Sequence, residues 1–190
     1  IQVEFPYYGY RMLHHELERR GHLVNEKRIR RVQRKFGLFA MRLRKFIRTT
    51  DSNHRHRVYP NLLKNRASVS ALDEVWVSDI TYVRIDTGFV FVAIVMDLCS
   101  RKVVGYGISK NIDRELTLAA LDMAIESRKP DVGLIHHSDR GVQYACDDYI
   151  ELMSEWKMRP SMSRSGNPYD NAYMESFMKT LKYNEIYLNH

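Results

Sequence analysis

The sequence is short of several residue types, and each shortage excludes a class of protein. Only 2 of its 190 residues are cysteine, which is too few for a disulfide framework or a cysteine-based zinc cluster. Its 9 glycines and 5 prolines exclude collagen-like and low-complexity chains. The longest apolar run, Phe89 to Met96, falls far short of the roughly 18 residues that a membrane helix needs. We therefore expect a globular protein with no membrane partner and with Cys99 and Cys146 reduced and buried.

Positive charge is concentrated in the first part of the chain. Residues 1–72 contain 17 Lys and Arg against 5 Asp and Glu, whereas residues 73–190 contain 13 against 18. The net charges are +12 and −5, which together give the +7 of the whole chain. A basic segment followed by an acidic one is expected where one part binds phosphates and the other binds cations.

Two short helices are predicted within residues 1–37. Gly21 is placed to end the first helix, Asn25 to cap the second and Gly37 to end it. Helix-turn-helix units are built from two such helices. Helical spacing relates the apolar positions of each helix, which are Tyr10, Leu13 and Leu17 in the first and Ile29, Val32 and Phe36 in the second.

The second predicted helix is rich in cations, and we predict that it binds DNA. Such side chains neutralise phosphates, and some reach base edges in the major groove. The alternative is a solvated basic helix on an ordinary helical hairpin. Residues 38–72 keep a dense charge but lose periodicity, which predicts a basic linker. The predicted DNA-binding residues of the helix are Lys27, Arg28, Arg30, Arg31, Arg34 and Lys35.

From residue 73 onward the pattern predicts an α/β domain that extends to residue 190. Three strands come first, and helices then alternate with two further strands, in the order βββαβαβα. This order is that of the ribonuclease-H-like fold, a mixed five-stranded sheet with helices on its faces. We expect strands at 75–84, 88–98, 101–109, 132–137 and 159–163, and helices at 113–128, 144–157 and 168–183.

Three carboxylates fall at positions that this fold brings together. Asp79 lies in the first strand, Asp139 follows the fourth strand and Glu175 lies in the last helix. The first and fourth strands are neighbours, so the two aspartates meet at one edge. Two divalent ions about 3.5–4 Å apart can activate the attacking oxygen and stabilise the leaving oxygen of a phosphodiester, and such hard ions prefer carboxylate ligands. We predict that these residues form the catalytic metal site.

The last predicted helix carries cations on the same stripe as Glu175. At 100° per residue, Asn171, Glu175, Lys179 and Lys182 fall on one side. We predict that the two lysines bind the DNA phosphates that flank the scissile bond. The alternative is an ordinary amphipathic helix with a Glu–Lys pair.

Other residues compete for these roles. Asp97 is a second candidate metal ligand, although its position before a turn favours capping or pairing with Arg101. Asp170 is placed to cap the last helix. Ser138 beside His137 could suggest a serine hydrolase, but the sequence contains no GxSxG elbow.

Seven stretches together resemble the second-reading-frame transposases of bacterial insertion sequences, whose catalytic core is similar to retroviral integrase. The spacing is specific, because 35 residues separate Asp139 from Glu175 and a basic residue, Lys182, follows seven positions later. The stretches cover about residues 7–183 and read YYGYRMLHHELERRG, NEKRIRRVQRKFGL, WVSDITYV, VMDLCSRKVVGY, LIHHSDRGVQY, SMSRSGNPYDNAYMESF and TLK.

The resemblance implies a DDE transposase with Asp79, Asp139 and Glu175 as its catalytic triad and two Mg²⁺ or Mn²⁺ ions as cofactors. It implies cleavage of double-stranded DNA at the inverted-repeat ends of the element, and joining of the freed 3′-OH to target DNA. It also implies a homo-oligomer on DNA, fusion to an upstream first-frame product, and a cytoplasmic, nucleoid-associated location in bacteria. Members of this family usually continue past the last catalytic helix, so we expect a C-terminally truncated core.

Two other functions stay open at this point. A DNA-binding remnant or regulator of transposition would use the basic segment and leave the triad idle. A ribonuclease-H-like nuclease would hydrolyse DNA without joining it, so a joined product distinguishes a transposase from both.

Overall fold

The computed structural model describes residues 1–41, 56–64, 68–85, 88–164, 171–182 and 186. Much of the predicted linker, and Asp170 with its predicted capping role, lie outside these residues. The described residues form two compact units, one made of residues 1–41 with those from 179 onward, and the other of residues 56–178. Within the described ranges, every helix is too short or too polar to cross a bilayer.

The first unit contains two helices, α1 (Tyr10–Arg19) and α2 (Glu26–Phe36). The predicted ends of α2 are confirmed. The Asn25 side chain accepts a hydrogen bond of 2.8 Å from the Lys27 amide, and Gly37 takes a left-handed φ of 66°. A residue with a Cβ is strained in that conformation, which explains why the helix ends at a glycine.

The predicted apolar face of α2 is partly wrong. Ile29 is buried, but Val32 is exposed and Phe36 is 64% exposed, whereas the polar Gln33 is buried. The buried side of α2 therefore follows Ile29 and Gln33, which are one turn apart. Periodicity fixes the spacing of side chains but does not say which side a neighbouring element covers.

A buried carboxylate on α1 was not predicted either. Glu16 accepts hydrogen bonds from Arg19 Nε at 2.8 Å and Arg20 Nε at 2.6 Å. The hydrogen bond from Arg19, followed by that from Arg20, lowers the pKa of the Glu16 carboxyl to about 2. The paired charges explain how an acid can lie inside this small helical unit.

The second unit is built on a mixed five-stranded sheet, which confirms the predicted fold class. Numbered along the chain, its strands lie in the order third, second, first, fourth and fifth. The first two neighbouring pairs in that order are antiparallel and the last two are parallel. The predicted helix at 144–157 is in fact two helices that meet at Cys146. The elements are β1 (Val75–Ile85), β2 (Gly88–Asp97), β3 (Val103–Ser109), α3 (Arg114–Arg128), β4 (Ile135–Ser138), α4 (Val142–Ala145), α5 (Asp147–Glu155), β5 (Arg159–Met162) and α6 (Ala172–Leu181).

Helix α3 packs closely against β3 because two glycines face it. A Cβ at Gly105 would overlap the Ala120 carbonyl oxygen, and one at Gly107 would lie 2.6 Å from the Leu116 carbonyl oxygen. The backbone of α3 therefore lies directly against the backbone of β3 at these two glycines. Such close approach is a use of glycine within a strand.

Burial within this unit follows the packing of α3 and β1. Helix α3 buries Leu121 and Ile125 and exposes Ala119 and Met123. Trp76 of β1 is fully buried, and Trp156 is exposed just after the end of α5. The free cysteines Cys99 and Cys146, which were predicted to be buried, are only half-buried.

Candidate active site

Asp79 and Asp139 lie just beyond the paired residues of β1 and β4. Strands β1 and β4 run parallel, with Val75 paired to Ile135 and Val77 paired to His137. The same offset carried two residues further places Asp79 level with Asp139. Asp139 directly follows β4, so both carboxylates lie at the same end of the β1–β4 pair. Both residues are half-buried.

Backbone amides orient the two carboxylates. Asp139 Oδ1 accepts a hydrogen bond of 2.8 Å from the Gly141 amide, where the chain leaves β4 and enters α4. Asp79 Oδ1 accepts one of 2.9 Å from the amide of Ile80. These contacts restrict the two side chains before any ligand is considered.

A buried phenol lies close to both aspartates. The Tyr144 hydroxyl is hydrogen-bonded to Ser78 Oγ at 3.0 Å, and Ser78 directly precedes Asp79. Burial raises the pKa of Tyr144 well above its usual range, and Tyr149 and the charges of Asp79 and Asp139 raise it further. Both carboxylates therefore act on the same hydroxyl, which stays neutral and can keep its hydrogen bond.

The first turn of α6 is attached to β1 beside Asp79. The Asn171 side-chain amide donates a hydrogen bond of 3.4 Å to the Ser78 carbonyl, and Asn171 is only 8% exposed. Met174 is fully buried, while Glu175 lies exposed in the first turn. The fold thus brings the helix that carries Glu175 to the strand that carries Asp79.

The donor set fits hard divalent cations. Its predicted ligands are all carboxylate oxygens, the type that Mg²⁺ and Mn²⁺ prefer. The Asn171 Oδ1 atom is buried and has no hydrogen-bond partner among the described residues. A buried acceptor of this kind needs a hydrogen-bond donor, and a water molecule bound to a cation would supply one.

The three carboxylates do not converge on a single small sphere. Among the described residues, the only three His, Cys, Asp or Glu side chains with ligand atoms all within 4.8 Å of one another are His14, His15 and Glu18 on α1. Two ions about 3.5–4 Å apart can be held by ligands spread over a wider region. The ligand atoms of the predicted triad are thus farther apart than those of a site that surrounds a single ion.

Asp97 is a structural residue, which confirms its predicted capping role. Its side chain is fully buried and accepts hydrogen bonds from the Ser100 amide at 2.8 Å and the Asp73 amide at 3.0 Å. These bonds hold the β2–β3 turn. Both oxygens are thus engaged by backbone donors.

Several supporting contacts behind the site were not predicted. His137 is fully buried, with Nδ1 2.8 Å from Ser161 Oγ and Nε2 3.0 Å from Ser163 Oγ. Arg140 Nε donates to the Ser163 carbonyl at 2.8 Å. Together these contacts tie the end of β4, where Asp139 follows, to β5. Polar residues inside otherwise apolar strands are the sequence signal that could have indicated them.

The predicted DNA-binding cations of α2 separate into two groups. Lys27, Arg30, Arg31 and Arg34 line one concave patch, which we call the α2 patch. At 100° per residue, these four span an arc of about 100° around the helix, and Lys35 and Arg28 continue that arc beyond Arg31. Arg30 also stacks on Tyr10, with its Cζ 3.7 Å from the ring centroid.

The two predicted cations of α6 lie at its C-terminal end. Lys179 is exposed in the last turn, and Lys182 follows the helix and is half-buried. Both residues make interactions of their own within the protein.

The comparisons with known proteins agree with this geometry. The family profile described as "Integrase core domain" matches residues 70–168, which is more than half of the chain. The chain belongs to the integrase core domain family. A second profile, described as "HTH-like domain", matches residues 1–46. The resemblance stated from the sequence motifs is therefore confirmed.

Curated relatives cover almost the whole chain. It is 43% identical over 175 residues to the "Insertion element IS600 uncharacterized 31 kDa protein" of Shigella sonnei, which covers 92% of this chain and 64% of the relative. It is 38% identical over 183 residues to "Transposase InsF for insertion sequence IS3A" of Escherichia coli (strain K12), covering 96% of this chain and 64% of that protein. The chain thus spans a little less than two thirds of the length of these relatives.

The fold is also found in a solved viral assembly. The structure matches a chain of the simian T-cell lymphotropic virus intasome, determined by cryo-EM in complex with PP2A regulatory subunit B56 gamma. The TM-score is 0.56 at 18% identity, and the match covers 68% of this chain and 45% of that chain. This match supports the ribonuclease-H-like fold.

Proposed function

We propose that the chain is the catalytic part of a DDE transposase that cuts and joins the ends of an insertion sequence in a metal-dependent reaction. The single observation that carries the proposal is the parallel β1–β4 pairing, which ends beside Asp79 and Asp139, with the start of α6 attached to β1 at Ser78. The transposase name of one relative and the integrase core family support the same function.

The proposed site residues are Asp79, Asp139 and Glu175, which would hold two Mg²⁺ or Mn²⁺ ions. When bound, such ions activate the attacking oxygen and stabilise the leaving oxygen at the scissile phosphate. The Gly141 amide orients the Asp139 carboxylate, and Asn171 fixes the start of the helix that carries Glu175. These contacts restrict the Asp139 side chain and the start of α6 before DNA binds.

The chemistry exchanges one phosphodiester bond for another. Hydrolysis at the element end breaks a P–O bond and frees a 3′-OH. That hydroxyl then attacks a target phosphodiester, so one P–O bond forms as another breaks, and ATP is not required. The chain contributes the binding of the DNA backbone and the placement of the reacting phosphate.

Double-stranded DNA is the proposed partner, both as the inverted-repeat ends and as target. The α2 patch, with Arg28 and Lys35 at its flanks, would bind phosphates of the end sequence. Lys179 and Lys182 would bind phosphates near the scissile bond. Because an element has two ends to be joined together, we propose a homo-oligomer on DNA. Fusion to an upstream first-frame product and a place at the bacterial nucleoid belong to the same proposal.

A strand-transfer assay with Mg²⁺ tests this function. The substrate is a duplex carrying the terminal sequence read from the DNA that flanks the gene. We expect Asp139→Asn to reduce joined product by more than about 100-fold, because changes even to partners behind a metal ligand cost about 10–100-fold. Asp131→Asn, an exposed acid in the loop before β4, is the matched control and should behave like the parent.

Each alternative function gives a different result in this assay. Equal activity of the Asp139→Asn variant and the parent contradicts the proposed enzyme. Cut strands without any joined product indicate a hydrolytic nuclease. Binding of the end sequence without cutting by the parent indicates a DNA-binding regulator.

A further inference from the structure

The side chains of Arg101 and Tyr173 stack on each other beside the candidate site. The Arg101 guanidinium carbon lies 3.6 Å from the centroid of the Tyr173 ring. Tyr173 is 57% exposed, so burial alone does not hold its ring. A cation over an aromatic face at this distance is attracted by the ring quadrupole.

Arg101 stands on a rigid turn between β2 and β3. Its backbone has a left-handed φ of 62°, and its amide donates to the Asp97 carbonyl at 2.9 Å. The buried Asp97 side chain accepts from Ser100 and Asp73, as described above. The guanidinium is therefore presented from a part of the sheet that is itself well fixed.

Tyr173 and Glu175 lie on opposite flanks of a buried residue of α6. Met174 is fully buried, and at 100° per residue its two neighbours are turned about 100° to either side. If α6 rotated slightly about its own axis, so that the Tyr173 ring moved away from the β2–β3 turn, Glu175 would rotate in the same direction. A contact that fixes Tyr173 therefore restrains the rotation of the turn that carries Glu175.

We propose that Arg101 is a positioning residue that holds the first turn of α6, through the Tyr173 ring, so that Glu175 is directed at Asp79 and Asp139. The Asn171–Ser78 hydrogen bond provides one attachment of this turn and the Arg101–Tyr173 stack provides the second. The inference rests on the proposed role of Glu175 as a metal ligand.

The direction in which metal affinity changes when Arg101 is replaced distinguishes a positioning role from a purely electrostatic one. Removing a cation near a metal site favours binding of another cation. Loss of positioning weakens binding instead. We therefore expect Arg101→Asn, which suits the left-handed backbone, to raise the Kd for Mn²⁺ by about two- to fivefold, the range for an exposed cation–π pair.

The experiment is a Mn²⁺ titration of the 190-residue chain, read by the electron paramagnetic resonance of free Mn²⁺. Tyr173→Ala keeps the charge and should weaken binding as Arg101→Asn does, and the double variant should be no weaker than either single one. Tyr173→Phe keeps the ring and is the matched control, with unchanged affinity. In a Glu175→Gln background, Arg101→Asn should not weaken Mn²⁺ binding further, whereas general damage to the fold would still weaken it.

The outcomes separate this inference from the proposed function. Weaker binding in Glu175→Gln, with equal or tighter binding in Arg101→Asn, overturns the positioning role and leaves the metal site standing. Unchanged binding in Glu175→Gln contradicts the metal role of Glu175 itself. Far-ultraviolet circular dichroism checks folding, and Arg101→Lys replaces Arg101→Asn if that variant does not fold, with partial retention of affinity expected.

Discussion

His136 Nε2 lies 3.1 Å from the hydroxyl of Tyr149, and both side chains are buried in the core of the sheet unit. Burial, and then the neighbouring charge of His137, lowers the pKa of His136 from 6.5 to about 3. Burial raises the pKa of Tyr149. Both groups therefore stay neutral in the folded protein, and burial disfavours a proton that would add a charge to His136.

This pair predicts that the protein loses stability in mild acid. The folded state disfavours protonated His136, so its contribution is fully present above pH 6.5 and is lost as the pH falls toward 3. Between pH 7 and 5 we expect the free energy of unfolding to decrease, with a slope that approaches about 1.4 kcal/mol per pH unit. Urea unfolding at several pH values measures it. The variant His136→Gln should show a flatter dependence in this interval, and an identical slope in both proteins would refute the assignment.

The two groups of cations on α2 predict different salt dependences of DNA binding. The double variant Lys27→Ala/Arg34→Ala removes two members of the α2 patch. It should lower the slope of log affinity against log salt by about 2, because each phosphate contact contributes about 0.9. The double variant Arg28→Ala/Lys35→Ala removes the same charge from the flanks and should change the slope less. Fluorescence anisotropy with a labelled duplex over a range of NaCl concentrations gives both slopes, and equal losses would show that the patch has no special role.

The close packing of α3 on β3 predicts a large cost for one methyl group. Gly105→Ala places a Cβ against the Ala120 carbonyl, and backbone atoms cannot move aside as a flexible side chain can. We expect a loss of about 1–3 kcal/mol in the free energy of unfolding, the usual cost of overpacking. Gly9→Ala is the control, since nothing lies within 4 Å of the added atom there. Chemical denaturation measures the free energy of unfolding of both variants, and equal values would contradict the described packing.

The sequence was sufficient to predict the order of the elements along the chain, and to place Asp79 in the first strand and Asp139 just after its neighbour, the fourth. Strands of β-branched and aromatic residues are separated here by clear turns, and parallel pairing of the first and fourth strands follows from the fold class. The ends of α2 were also predictable, because Asn25 and Gly37 act through the local backbone.

What the sequence could not predict depends on contacts between distant parts of the chain. The burial of Glu16 and Gln33 depends on which side of each short helix is covered. The attachment of Asn171 to Ser78 spans most of the sheet unit along the chain. The stack of Arg101 on Tyr173 joins two residues that are individually exposed, and no local pattern marks such a pair.

The parallel pairing of β1 with β4 has a consequence for the newly made chain. Asp79 and Asp139 are 60 positions apart, and the β-meander that contains Asp79 is complete before Asp139 has been synthesised. Pairings between such distant segments form late, because the intervening loop must close first. In a chain that is still being synthesised or is only partly folded, Asp79 therefore lacks Asp139 beside it. The two carboxylates come together only when the sheet is complete.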